Sequence, residues 1–383
     1  MDFGLLPPAI ELRDHLVLCD ADRLRILNPT ARRLWEIHRD TQDVGRAVTW
    51  LVETYGLTVE QAEQDVEALF APAVLDEPPA VPAVFPRPAV CRPSPREASG
   101  YETYSAPLPV VESPLLGQGG VVSLYCATER LAQALEPLFA HLRVTTAAGP
   151  RFTIEADNGF TGWRDQEEIF ATTTLDGAVI GLFAAVLEYA AADRNLMASL
   201  HAGAVSDGHT ALVLPGAGGS GKSTLTAALL TRGYRYLSDD LVPLDYGSGH
   251  ALPVPVCLNL KAGSVSALVD LYPALPKLPA WRSGNRRLRF LPPPAFAQRR
   301  PERAYPVAAM VFPQYQPDAA SKLQPLDSVA ALTRLMASDA RFDLPLNPAK
   351  IAALCAWIET TPAYAFAYSD LSTAADGLRS LWP

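Results

Sequence analysis

The eight residues GAGGSGKS, Gly216 to Ser223, constrain this chain more than any other stretch. They follow an apolar run, ALVLP, and lead directly into STLTAALL. The spacing predicts a strand, a glycine-rich turn and a helix in immediate succession. Four glycines between positions 216 and 221 would be a needless entropic cost in an ordinary turn. Their use is to let successive N–H groups point inward without Cβ clashes, which makes a polyphosphate cradle at a helix N-terminus. Its lining would be Gly216, Gly218, Gly219, Ser220, Gly221, Lys222, Ser223 and Thr224. Lys222 can then reach the terminal phosphates of ATP or another nucleoside triphosphate, and the Ser223 hydroxyl can ligate Mg²⁺.

Downstream, Gly233 suits the end of the helix and YRYLS reads as a short strand, with Asp239 and Asp240 at its C-terminal end. A strand, loop, helix and second strand in this order predict a right-handed crossover between parallel strands, whose carboxyl ends open on one sheet edge. The pair follows within seventeen residues of Lys222. One carboxylate, assigned to Asp240, would hold Mg²⁺, and the other, Asp239, would accept a proton from an attacking hydroxyl. His201 opens HAGAVSD, the apolar strand before the loop strand, and would approach Asp239 if the strands are neighbours. Lys261 in NLK is either a phosphate contact or a surface lysine. WRSGNRRLRF reads as a loop whose Arg282, Arg286, Arg287 and Arg289 either offset transition-state charge or form a solvated basic face.

The rest of the chain narrows the setting. Charged residues are 19% and hydrophobic residues 49% of the 383 positions, which excludes a largely disordered protein. A net charge of −9 argues against nucleic-acid binding by bulk charge. Five scattered cysteines without a C-x-x-C pair argue against a disulfide framework or zinc site. The start lacks a secretory pattern, and AVIGLFAAVLEYAAA is too short for a confident membrane span, so a cytoplasmic protein without a membrane partner is expected.

Residues 72–95 hold eight prolines and read as an extended linker. The expected domains are residues 1–75, a linker at 76–99, and a large α/β domain at 100–383. In the first, HLVLCD and RLRILN predict a hairpin. Three helices follow: one capped by Asn28 or Thr30, one ending at Gly56, and one opened by the capping box of Thr58 and Gln61. This small winged-helix-like α+β module resembles the PqqD-like family of modified-peptide biosynthesis through LRILNPTARRLWEI and VGRAVTWLVETYGLTVEQAEQDVEALF. The resemblance implies that a peptide adds as a strand near residues 15–28 and lies against a groove wall at 61–73. The bland alternative is a DNA-binding winged helix or plain docking domain, and the acidic second and third helices weigh against DNA.

The pattern LHAGAV with LVLPGAGGSGKSTLTAALLTRGYRYLSDDLVPL is similar to the catalytic domain of HPr kinase/phosphorylase and to HPr-kinase-related kinases, mainly over residues 195–315. That resemblance implies a P-loop kinase fold of the HPr kinase and phosphoenolpyruvate carboxykinase type, and phosphoryl transfer from ATP to a serine hydroxyl. It assigns Asp239 as general base, His201 as a second catalytic residue beside Lys222, and Ser223 with Asp240 to the metal. Relatives of this fold form rings, so a homo-oligomer is among the expected assemblies. The downstream HPr kinase signature is not recognisable here, which puts the reverse phosphorylase reaction and an HPr-like acceptor in doubt. The expected activity is ATP- and Mg²⁺-dependent phosphorylation of a serine or threonine in a peptide docked by the N-terminal module. The alternatives are a kinase for a small hydroxyl compound and a non-catalytic nucleotide-dependent peptide-binding module.

Overall fold

The Asn28 side chain accepts a hydrogen bond from the Ala31 N–H at 2.8 Å, and the chain turns there from strand into helix. In this computed structural model, which describes residues 7–20, 22–70, 106–107, 110–112, 121–144, 149–191, 195–297 and 304–382, that turn lies in the smaller of two units. The proline-rich linker falls outside the described residues.

The smaller unit holds an antiparallel sheet of β1 (Ala9–Leu12), β2 (His15–Cys19) and β3 (Leu24–Leu27), in that order. Helices α1 (Pro29–Thr41), α2 (Val44–Tyr55) and α3 (Val59–Phe70) follow. Leu34, Ala47, Leu51, Ala62 and Val66 are buried where the helices meet, and Leu16, Leu18, Leu27 and Trp35 where the sheet meets them. The predicted caps form: Gly56 ends α2 with φ +66°, and Thr58 and Gln61 exchange hydrogen bonds of 3.1 and 3.2 Å. One strand, and the packing of a helix that NPAKIAALCAWIETT predicts, go beyond the sequence reading. β1 adds a third strand to the hairpin, and the helix Pro348–Thr360, remote in sequence, packs against β1.

The larger unit is mixed α/β. One sheet runs Glu167–Thr172, Phe160–Arg164, Arg151–Glu155, Val121–Cys126, Val110–Glu112 and Arg143–Val144. The helix Leu175–Ala191 contributes Ala178, Val179, Leu182, Phe183 and Val186 to the core beneath it. The acidic residues of RDQEEIF fall in the exposed hairpin joining two of its strands.

A second sheet carries the glycine-rich loop. Its order is Arg235–Ser238, Ala202–Ser206, Ala211–Pro215, Val307–Tyr315, Ala363–Tyr368 and Lys322–Leu326. For brevity the first four are the acid, histidine, loop and tyrosine strands. The loop and acid strands are not neighbours, contrary to the simple crossover: the histidine strand lies between them, antiparallel to both. Two antiparallel pairings leave the loop and acid strands parallel to each other. Their carboxyl ends therefore share one edge with the start of the histidine strand. The tyrosine strand pairs parallel on the other side of the loop strand and ends at that edge too.

Two smaller elements differ from expectation. Only Leu258–Lys261 of PVPVCLNLK is a strand. WRSGNRRLRF is a hairpin of Trp281–Ser283 and Arg286–Leu291, turned by Gly284 and Asn285. The Gly-Asn pair between two alternating runs is the signal for it.

Candidate functional site

The strand Ala211–Pro215, the glycine-rich turn and a helix follow one another as the spacing predicts. The helix Lys222–Leu230 starts at Gly221, which has φ +95° and leaves the first turn without a side-chain cap. The first closed turn is the Leu225 N–H bond to the Gly221 carbonyl at 2.8 Å. The preceding N–H groups thus lie at an uncapped N-terminus, where the helix dipole favours an anion. Ala217, Gly218 and Gly219 form an exposed tip, while Gly216, Lys222 and Thr224 are buried. The Ser220 hydroxyl is buried without a hydrogen-bond partner. Thr224 instead donates to the Ser264 hydroxyl at 2.8 Å.

Asp239 leaves the acid strand wholly buried, at 1% exposure. Its Oδ2 accepts the Asn259 backbone N–H at 3.0 Å, whereas Oδ1 is buried without a hydrogen bond. Burial raises its pKa to about 7, with further upward pressure from Asp240; Lys222 and the Asn259 N–H pull the other way. The Ser223 hydroxyl also favours the charged form, from a position that does not meet hydrogen-bond geometry.

Asp240 has φ +69°, a left-handed conformation that an aspartate tolerates better than most residues but still at some strain. Alternation along an ideal strand would send neighbouring side chains to opposite faces. The left-handed residue breaks that alternation, and both carboxylates act on the buried Lys222 ammonium. Burial holds the Lys222 pKa below its ordinary value, with Asp240 and then Asp239 opposing the shift.

His201 stands at the start of the histidine strand, as its position required, but its neighbour is Asp240 rather than Asp239. Nε2 lies 4.0 Å from Asp240 Oδ1. Burial, then Lys222, lower its pKa to about 4, so the imidazole is neutral near pH 7 and the contact is not an ion pair. Lys261 reaches the loop: a Cβ placed on Gly218 would sit 3.3 Å from its Nζ.

The structure therefore brings Lys222, Ser223, Asp239, Asp240, His201 and Lys261 to one sheet edge. Two of the arginines are engaged elsewhere. Arg282 donates from its backbone to Asp176 at 2.7 Å and from Nε to Gly284 at 3.2 Å, and Arg289 donates to the Leu278 carbonyl at 3.2 Å. These bonds serve the hairpin and its immediate support. Three participants were missed in the sequence. Asn259 holds Asp239 through its main chain and buries its own Oδ1 without a partner. Tyr315 donates its backbone N–H to the Ser220 carbonyl at 3.1 Å, and the Tyr368 hydroxyl donates to the Gly221 carbonyl at 3.2 Å. The only available signal for the tyrosines was their place at the ends of apolar strands.

No helix among the described residues is long and apolar enough to cross a membrane. No curated protein matches the chain. Residues 15–73 match the family model for coenzyme PQQ synthesis protein D (PqqD), so the chain carries an N-terminal PqqD-like domain.

Proposed function

We propose that this chain transfers the terminal phosphoryl group of ATP, with Mg²⁺, to a serine or threonine hydroxyl of a peptide that the PqqD-like domain docks. The observation that carries the reading is Asp239. A carboxyl held by one main-chain N–H, with its other oxygen buried and unbonded, sits at the strand edge shared by an uncapped glycine-rich loop and a buried lysine. An orphaned buried acceptor is costly in a purely structural role. It is explained if Oδ1 takes a proton from an incoming hydroxyl.

In the step itself the acceptor oxygen bonds to the γ-phosphorus as the bond to the β–γ bridging oxygen breaks. ADP departs with that electron pair, and the acceptor's proton passes to Asp239 Oδ1. Lys222 and the uncapped N–H groups at the start of the helix Lys222–Leu230 neutralise and orient the phosphates, so positioning and electrostatics supply most of the acceleration. Among the described residues, no three His, Cys, Asp or Glu side chains form a metal cluster. Magnesium in nucleotide sites takes one or two protein ligands, phosphate oxygens and water, which Ser223 and Asp240 suit. When bound, Mg²⁺ would offset charge on the phosphate oxygens. His201, neutral and 4.0 Å from Asp240, would stand beside the metal without competing with it as a cation.

The peptide acceptor is supported by the PqqD-like match, since the resemblance to that family implies peptide docking and a sheet edge can accept a peptide strand. Tethering a docking domain to a transfer site raises the local peptide concentration, up to about millimolar for a well-matched linker.

The test uses γ-labelled ATP, Mg²⁺ and paired serine- and alanine-containing peptides with the full chain. Label should enter the serine peptides alone, and Asp239→Asn should abolish transfer while ATP still binds. Undiminished transfer by a folded Asp239→Asn would remove the assigned base. Transfer to small hydroxyl compounds but to no peptide would remove the peptide acceptor.

A further inference from the structure

Tyr315 is a large ring left 54% exposed at the rim of the loop. Its place is fixed from three directions. The backbone N–H is bonded to Ser220, inside the loop. Its Cβ lies 3.5 Å from where a Cβ on Gly221 would stand. Its ring meets the Tyr368 ring edge-on at 5.9 Å and 71°, and the Tyr368 hydroxyl is itself anchored on Gly221. The ring is thus held in place beside the first turn of the helix Lys222–Leu230, yet more than half of it is open to water.

The sheet order gives this exposure a direction. On one side of the loop strand come the histidine and acid strands, with Asp239 and Asp240; on the other comes the tyrosine strand, parallel to it. A triphosphate held by the loop with its terminal phosphate toward Asp239 has its other end toward Tyr315. What lies at that end of a nucleotide is a flat heterocycle, and a supported aromatic face is suited to stack on it.

We propose that Tyr315 is the stacking platform for the nucleobase of a triphosphate bound at the GAGGSGKS loop. This rests on the loop being a phosphate site, and it adds to that reading a residue that separates a nucleotide from bare polyphosphate. Because every base presents a π-face, the platform serves adenine and guanine alike.

Titration calorimetry on the full chain with Mg²⁺, using ATP, GTP and inorganic tripolyphosphate, tests this directly. Tyr315→Ala should weaken ATP and GTP together by roughly 5- to 150-fold, the range for loss of one base–aromatic stack, and leave tripolyphosphate within about twofold. Tyr315→Trp should retain nucleotide affinity. Parallel loss of ATP and tripolyphosphate in Tyr315→Ala would show that the residue merely props the loop, and unchanged ATP affinity would show that it touches no base; either overturns the platform. Wild-type protein that binds tripolyphosphate as tightly as ATP overturns the platform but leaves the phosphate loop standing. Wild-type protein that binds neither removes both.

Discussion

The Asn259 backbone N–H bonds Asp239 Oδ2 at 3.0 Å, and Oδ1 is left buried without a hydrogen bond. The bond comes from a strand that the loop sheet does not include, Leu258–Lys261, so a separate small sheet aims the acid. Asp239→Asn can keep the contact through its amide oxygen, whereas Asp239→Ala leaves the N–H without an acceptor. Both remove the same acid. Asp239→Ala should therefore be less stable than Asp239→Asn by about 1–3 kcal/mol, the cost of an unpaired buried group. Urea unfolding of the two variants at pH 8 checks it, and equal stabilities would mean that the bond does not hold the acid.

Gly219 and Gly221 both lie at positive φ, +96° and +95°, but in different surroundings. A Cβ on Gly219 would meet nothing within 4 Å, while one on Gly221 would come within 2.2 Å of the Tyr368 hydroxyl. Alanine at Gly219 should cost only backbone strain, about 1–2 kcal/mol. Alanine at Gly221 should cost more and displace Tyr368 as well. Denaturant unfolding of the pair gives the order, and a Gly221→Ala variant no less stable than Gly219→Ala would contradict it.

In the smaller unit, Thr58 and Gln61 form a reciprocal cap at the start of α3. Each alanine substitution should lose about 1 kcal/mol of local stability. Because the two bonds form one motif, the double variant should lose less than the sum. Amide hydrogen exchange at positions 58 and 61 reads this locally, and additive losses would mean the bonds act independently.

Much of this architecture was legible because its signals are local. Asn28, Gly56, Thr58 and Gln61 satisfy helix ends from a few residues away, so sequence distance hides nothing. The strand, loop and helix around Gly216–Ser223 are equally local, and the parallel strands follow from apolar runs of the right length. What could not be read was pairing across distance. The histidine strand separates the loop strand from the acid strand because its residues pair with both, and no short-range pattern distinguishes that order from a direct crossover. The roles of Asn259 and Tyr315, and the packing of the expected helix Pro348–Thr360 on β1, were missed for the same reason: each acts on a partner remote in sequence. The two acids converge on Lys222 only because Asp240 takes a left-handed backbone, a single dihedral angle that composition does not reveal.

His141 offers a measurement of pH dependence away from the loop. Its Nε2 donates to the Pro255 carbonyl at 2.8 Å, so the proton resides there, and Nδ1 is buried without a partner. Burial lowers the His141 pKa below its ordinary value of 6.5, with the Pro255 bond opposing the shift. A histidine with a depressed folded pKa takes up its proton more readily when unfolded, so it costs stability once pH falls below about 6.5 and costs nothing well above it. Asp239, raised to about 7, works in the opposite sense, since the folded state holds its proton where the unfolded carboxyl has lost it. The absolute stability curve therefore mixes the two. Subtracting His141→Gln from wild type cancels Asp239 and leaves the histidine. Wild-type stability relative to the variant should fall as pH drops from 7 to 5 and hold constant above pH 7.5, measured by urea unfolding across that range. A difference independent of pH would show that the ring titrates equally in both states and that its burial carries no penalty.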